Sequence, residues 1–121
     1  MRPILIVDDE FGIVEALRDL LADEGYRTVI ALNGREALER MAEERPALVL
    51  LDYMMPVLNG PGLLEAMGQD ATLRDIPVVM MSASPADRWR HLPCAAFLPK
   101  PFELELLLEL LERLVPRSTA N

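Results

Sequence analysis

Five side chains carry most of the chemistry open to this sequence: Asp8, Asp9, Asp52, Ser82 and Lys100. Each follows a short apolar run, residues 4–7 before Asp8 and Asp9, 47–51 before Asp52, 76–81 before Ser82 and 95–98 shortly before Lys100. Three carboxylates drawn into one small site repel, and at least one pKa rises unless a cation intervenes. Magnesium suits such a set, because it prefers oxygen ligands and keeps several waters. Asp9 and Asp52 fit direct ligation, and Asp8 fits a role through water. Asp52 is also a candidate nucleophile toward phosphorus, which would give an aspartyl phosphate. Phosphoryl transfer asks for positioning and charge neutralisation more than for covalent help. The cation and Lys100 would neutralise the phosphoryl oxygens, and the Ser82 hydroxyl would donate to one of them. Lys100 is the only lysine among 12 basic residues, the rest being arginine, as expected where a compact ammonium is wanted rather than a planar fork. Plainer readings stand beside these: Asp8 and Asp9 as helix caps, Ser82 as a turn residue, Lys100 as a solvated surface lysine.

The elements that must position these groups alternate between two periodicities. Residues 4–7, 28–31, 47–51, 76–81 and 95–98 are short apolar runs, hydrophobic at almost every position. Between them, Ile13, Val14, Leu17, Leu20 and Leu21 recur at helical spacing up to Gly25, a natural left-handed stop. Asn33-Gly34-Arg35-Glu36 has the pattern of a capped helix start, with Ala37, Leu38 and Met41 as the buried stripe. Leu63, Leu64 and Met67 suit a short helix, and a last helix spans about 103–115 with Pro116 as its stop. Strands apolar on both faces are covered on both faces, so the pattern predicts an α/β fold, a doubly wound five-stranded parallel sheet. Ligands of such sheets sit beyond the carboxyl ends of the strands, where the five side chains lie.

Composition narrows the classes. The 121 residues are about one domain's worth; residues 1–116 are expected to form it and 117–121 a frayed tail. A net charge of −8 argues against nucleic acid or an anionic membrane as the main partner. Cys94, the single cysteine, cannot form an internal disulfide. No apolar run approaches the ~18 residues of a membrane span. A cytoplasmic protein, monomeric or weakly dimeric, is expected.

Four segments in order, each at a predicted strand end, carry a resemblance: Val7-Asp8-Asp9-Glu10, Asp52 through Pro56 to Gly60, Ser82-Ala83, and Phe97-Leu98-Pro99-Lys100-Pro101-Phe102. Across nearly its whole length the chain resembles the receiver domains of two-component response regulators. The resemblance implies a flavodoxin-like strand order 2-1-3-4-5, the order of a chemotaxis member of the same family. It implies a phosphoryl group taken from a sensor histidine kinase or phosphotransfer protein onto Asp52 with Mg2+. It further implies that the backbone carbonyl of Met54 joins the metal ligands, that Lys100–Pro101 is cis, and that Ser82 and Phe97 form a switch altering a surface around the fourth helix, fifth strand and fifth helix. Pro56 and Gly60 would shape the loop after Asp52, with glycine allowing positive φ there.

Departures from the family pattern matter. Ser82 to Lys100 is 18 steps, about one helical turn (~4 residues) short of the family. The fourth helix is therefore expected to be abbreviated or lost between Pro85 and Pro93. Trp89, between Arg88 and Arg90, is either a partner anchor or folds back over the thinned segment. Met54 and Ser84 offer no acid or amide to orient an attacking water. Alternative readings are a degenerate receiver that binds without phosphate and a receiver excised from a larger regulator or hybrid kinase. No DNA-binding output domain falls within these residues. A dehalogenase-type phosphatase would want an acid where Met54 stands, and no phosphate-loop glycine-lysine segment is present.

Overall fold

The computed structural model describes residues 2–85 and 88–115. In chain order the elements are β1 (Ile4–Val7), α1 (Phe11–Asp23), β2 (Thr28–Ala31), α2 (Gly34–Glu43), β3 (Leu48–Asp52), α3 (Gly60–Gly68), β4 (Val78–Ser82), β5 (Ala96–Pro99) and α4 (Leu104–Leu114). The five strands form one parallel sheet in the order β2-β1-β3-β4-β5.

Alternation along each strand divides the core between the two faces. Ile4, Ile6, Leu48, Leu50, Val79, Met81, Ala96 and Leu98 pack with Val14, Leu17 and Leu21 of α1 and Leu107, Leu110 and Leu111 of α4. Leu5, Val7, Val49, Leu51, Val78 and Met80 pack on the other face with Ala37 and Met41 of α2, Leu63, Leu64 and Met67 of α3, and Trp89. Trp89 is only 1% exposed. Fully burying an aromatic of this size, ~200 Å², stabilises by about 5 kcal/mol.

The helix ends follow local chemistry. Asn33 accepts a hydrogen bond from the Glu36 amide at 2.8 Å, and Glu36 Oε1 accepts from the Leu32 amide at 3.1 Å. Asn59 caps α3 by accepting from the Gly62 amide at 2.9 Å. Past α1, Gly25 has φ 89°, and the Tyr26 amide donates to the Leu21 carbonyl at 2.9 Å. At α4, Glu103 and Val115 are the flanking residues. Pro116 and the expected tail at 117–121 lie outside the described residues.

Several expectations are corrected. β4 starts at Val78, not Ile76, because the Ile76 amide is used in a turn to the Leu73 carbonyl and Pro77 has no donor. β3 and β4 continue through Asp52 and Ser82, so these residues end the strands rather than follow them; Asp52 is still in register with Met81. β3 and β5 likewise begin one residue later than expected. Between β4 and β5 the described residues contain no α-helix, only a 3-10 residue at Arg88 and turns: the Arg88 amide donates to the Pro85 carbonyl at 3.0 Å and the Leu92 amide to the Trp89 carbonyl at 3.1 Å. The fourth helix, expected to be abbreviated or lost, has no α-helical residue among those described, and Trp89 covers the sheet there. Of the two readings of Trp89, folding back is the one observed. Gly60 does not have positive φ; that backbone falls on Val57, at φ 69°. A Cβ on Gly60 would instead lie 2.6 Å from the Asp52 carbonyl oxygen, so close approach explains the glycine. No helix among the described residues is long and apolar enough to cross a membrane.

Candidate functional site

The carboxyl ends of β1, β3, β4 and β5 bring the expected residues to one rim. Backbone bonds fix the spacing of three of them: the Tyr53 amide donates to the Met81 carbonyl at 2.9 Å and the Lys100 amide to the Ser82 carbonyl at 2.8 Å. The peptide bond between Lys100 and Pro101 is cis. Together Asp9, Glu10, Asp52, Met54, Ser82, Ser84 and Lys100 line a cleft of about 230 Å³.

Carboxylate oxygens of Asp8, Asp9 and Asp52 all lie within 4.8 Å of one another. Lys100 Nζ donates to Asp8 Oδ2 and to Asp52 Oδ1, each at 2.9 Å. Asp8 is completely buried and Asp52 nearly so, whereas Asp9 is exposed. The helix-cap reading of the two aspartates fails: the residue flanking α1 is Glu10, which makes no side-chain cap. Asp8 Oδ1 accepts from the Glu10 amide at 3.0 Å, so its second oxygen is left for the ammonium. The surface-lysine reading fails as well, since the Lys100 side chain is 16% exposed and doubly paired.

The electrostatics follow from this crowding. Burial holds the Asp52 carboxyl above its ordinary pKa; the Lys100 hydrogen bond opposes that shift, and the Asp8 and Asp9 charges reinforce it. For Lys100, burial works against the charge, but hydrogen bonds and charges of Asp52 and Asp8 outweigh it and hold the ammonium above its ordinary value. The site is thus rich in negative charge, buried at its base and open at Asp9. A hard divalent cation is suited to offset such a set.

The remaining expected residues fall as follows. The Ser82 hydroxyl is buried and accepts the Ser84 amide at 2.9 Å, which leaves its own proton to donate. Met54 lines the cleft and is 65% exposed. Phe97 is half-buried on the opposite side of β5 from Leu98, with its ring centroid 5.5 Å from that of Trp89 in an edge-on arrangement. Two links escaped the sequence reading. Tyr53 Oη donates to the Arg88 carbonyl at 3.2 Å, and Trp89 Nε1 donates to the Ser84 carbonyl at 2.9 Å. Nothing in the sequence spacing signals either, because both depend on how the crossover between β4 and β5 folds.

Comparison with known proteins agrees with this geometry. Residues 4–112 match the family model described as response regulator receiver domain. The response regulator MprA of Mycolicibacterium vanbaalenii is 42% identical over 123 residues, an alignment covering 98% of this chain and 52% of that protein. The chain thus spans about half the length of that relative. A signal receiver domain of a histidine kinase from Syntrophus aciditrophicus superposes with a TM-score of 0.86 at 33% identity, covering 94% of this chain and 89% of that one. The receiver domain of a Pseudomonas aeruginosa sensor histidine kinase, with a magnesium ion coordinated in its active-site cleft, gives 0.85 at 25% identity, covering 93% and 96%. By its sequence match and its sheet, this chain belongs to the response regulator receiver domain family.

Proposed function

We propose that this receiver takes a phosphoryl group onto Asp52 from the phosphohistidine of a sensor histidine kinase or a phosphotransfer protein. Lys100 engages Asp52 Oδ1, so Oδ2 is the attacking oxygen. An O–P bond forms as the P–N bond of the donor breaks, and the imidazole leaves with the electron pair and gains a proton. Transfer of this kind draws its rate from positioning and charge neutralisation. Lys100 supplies one fixed positive charge, and the Ser82 hydroxyl, already oriented by the Ser84 amide, has a proton to give to a phosphoryl oxygen.

Three hard oxygen donors within 4.8 Å, one of them open to water, fit a small divalent ion that keeps part of its hydration. Asp9, Asp52 and the Met54 carbonyl would hold Mg2+ directly and Asp8 through water; when bound, the ion neutralises charge on the transferring group. The observation that carries this reading is the Lys100 ammonium bridging Asp8 and Asp52 at 2.9 Å beside the third carboxylate. Phosphorylation then moves Ser82 and Phe97 and alters a partner-binding surface on the crossover, β5 and α4.

The test is incubation with Mg2+ and acetyl phosphate, reading incorporation by intact mass in the wild type and in Asp52→Asn. Incorporation in the wild type and none in the variant is expected. Equal incorporation in both would reject Asp52 as the acceptor. A second reading, a receiver that binds its partner without phosphate, is favoured by the absence of an α-helix among the described residues between β4 and β5. Partner capture that is identical with and without beryllofluoride would support it over the first.

A further inference from the structure

Two hydrogen-bonded arms run from the neighbours of Asp52 to the crossover between β4 and β5. In one arm the Ser84 amide donates to Ser82 Oγ at 2.9 Å, and the Ser84 carbonyl in turn accepts from Trp89 Nε1 at 2.9 Å. In the other, Tyr53, which follows Asp52, donates through Oη to the carbonyl of Arg88, the residue before Trp89. Pro85 makes the first arm stiff. A residue before proline is held to extended backbone, so Ser84 cannot turn its amide without carrying its carbonyl along. The Trp89 ring is buried, and its N–H needs an acceptor there.

The far end of the arm is an aromatic cluster. Trp89 meets Phe97 edge-on at 5.5 Å, and the Arg90 guanidinium lies 5.7 Å from the Trp89 ring and 5.9 Å from the Phe97 ring. Phe97 therefore cannot change its position without repacking Trp89. We propose that Trp89 is the moving part of this receiver: withdrawal of Ser82 Oγ toward a phosphoryl group on Asp52 frees the Ser84 amide, shifts the Ser84 carbonyl off Trp89 Nε1, and loosens the Trp89–Phe97–Arg90 cluster. In this chain a tryptophan in a crossover with no α-helix among its described residues takes the part that such a helix would otherwise have in passing site occupancy to the surface. The inference rests on Asp52 being the phosphoacceptor.

Trp89 is the chain's only tryptophan, so its emission reports this cluster alone. The full chain is treated with Mg2+ and acetyl phosphate, and one sample is read for intact mass, emission maximum and acrylamide quenching. The expected result is a phosphorylated protein whose emission shifts to the red and whose quenching constant rises severalfold. Ser82→Ala should gain phosphate more slowly, and the fraction that carries it, counted by intact mass, should show no optical response; Ser82→Thr should keep both. Tyr53→Phe should raise quenching before any phosphate is added. Phosphorylation with unchanged emission and quenching would overturn the relay while leaving Asp52 as acceptor. Failure of any phosphate to add would remove the acceptor reading and the relay together. A full optical response in phosphorylated Ser82→Ala would show that the signal bypasses Ser84, and would also refute the proposal.

Discussion

Replacing Gly60 by alanine isolates the contact that sets the position of Asp52. A methyl group there would lie 2.6 Å from the Asp52 carbonyl oxygen, 3.0 Å from Tyr53 Cα and 3.1 Å from Met80 Sδ. Two of these neighbours are backbone atoms, so no side-chain rotation relieves the clash. Ordinary contact begins near 3.4 Å, and β3 and α3 must separate by several tenths of an ångström. The Gly60 amide also donates to the Tyr53 carbonyl at 3.1 Å, and that bond stretches with the separation. Overpacking of this kind costs about 1–3 kcal/mol. For a domain of this size 1 kcal/mol is roughly 4 °C, so the midpoint should fall by about 4–12 °C. Displacement of the acceptor carboxylate should slow phosphorylation by about tenfold or more. Gly68→Ala is the control: its methyl meets nothing within 4 Å, and alanine's helix preference should raise stability by up to ~1 kcal/mol. Thermal denaturation followed by far-UV circular dichroism measures the first effect, and the rate of incorporation from acetyl phosphate the second. A Gly60→Ala protein as stable as Gly68→Ala, phosphorylated at the wild-type rate, would refute the close approach and its role.

Lys100→Met leaves the buried Asp8 carboxylate facing Asp52 without a counter-charge, so urea unfolding should show a loss of about 3 kcal/mol. Adding Asp8→Asn should restore at least ~1 kcal/mol of it, because the two sites are coupled. Mg2+ at ten times its dissociation constant should stabilise the wild type by about 1.4 kcal/mol in a thermal-shift assay, and chelation or Asp9→Asn should abolish the gain. Burial pushes the Cys94 thiol from 9.0 up to about 11; the unfolded chain then ionises first, and stability should fall as pH rises from 9 to 11, by at most ~2–3 kcal/mol. Lys100, also held above its ordinary value, adds a loss at still higher pH, and Cys94→Ala should flatten only the earlier part of the denaturation-versus-pH curve. Val57 is β-branched, 75% exposed and at φ 69°; a left-handed conformation costs an ordinary residue about 1–2 kcal/mol, so Val57→Asn should raise the midpoint by roughly 4 °C.

Much of this protein was legible before any coordinates. Apolar runs of strand length, helical stripes between them, Asn33 and Gly25 at element ends, and an acidic or polar residue after three of the five runs are local signals, and a parallel doubly wound sheet follows from them. The chemical types at the rim were legible for the same reason, and the single lysine marked itself by composition. Tertiary structure decided the rest, because it concerns residues far apart in the chain. Lys100 reaches Asp8 across 92 positions and Asp52 across 48, and only closure of the sheet shows one ammonium serving two carboxylates. The burial of Asp8 beside an exposed Asp9 depends on which neighbour faces the core, which is invisible in two adjacent identical letters. Gly60 was expected to relieve its own backbone but instead makes room for that of Asp52. Trp89 allowed two readings, and its burial against the sheet, where the described residues form no α-helix, decides for folding back. Local periodicity tells which residues seek the core, and three-dimensional packing decides which of them meet.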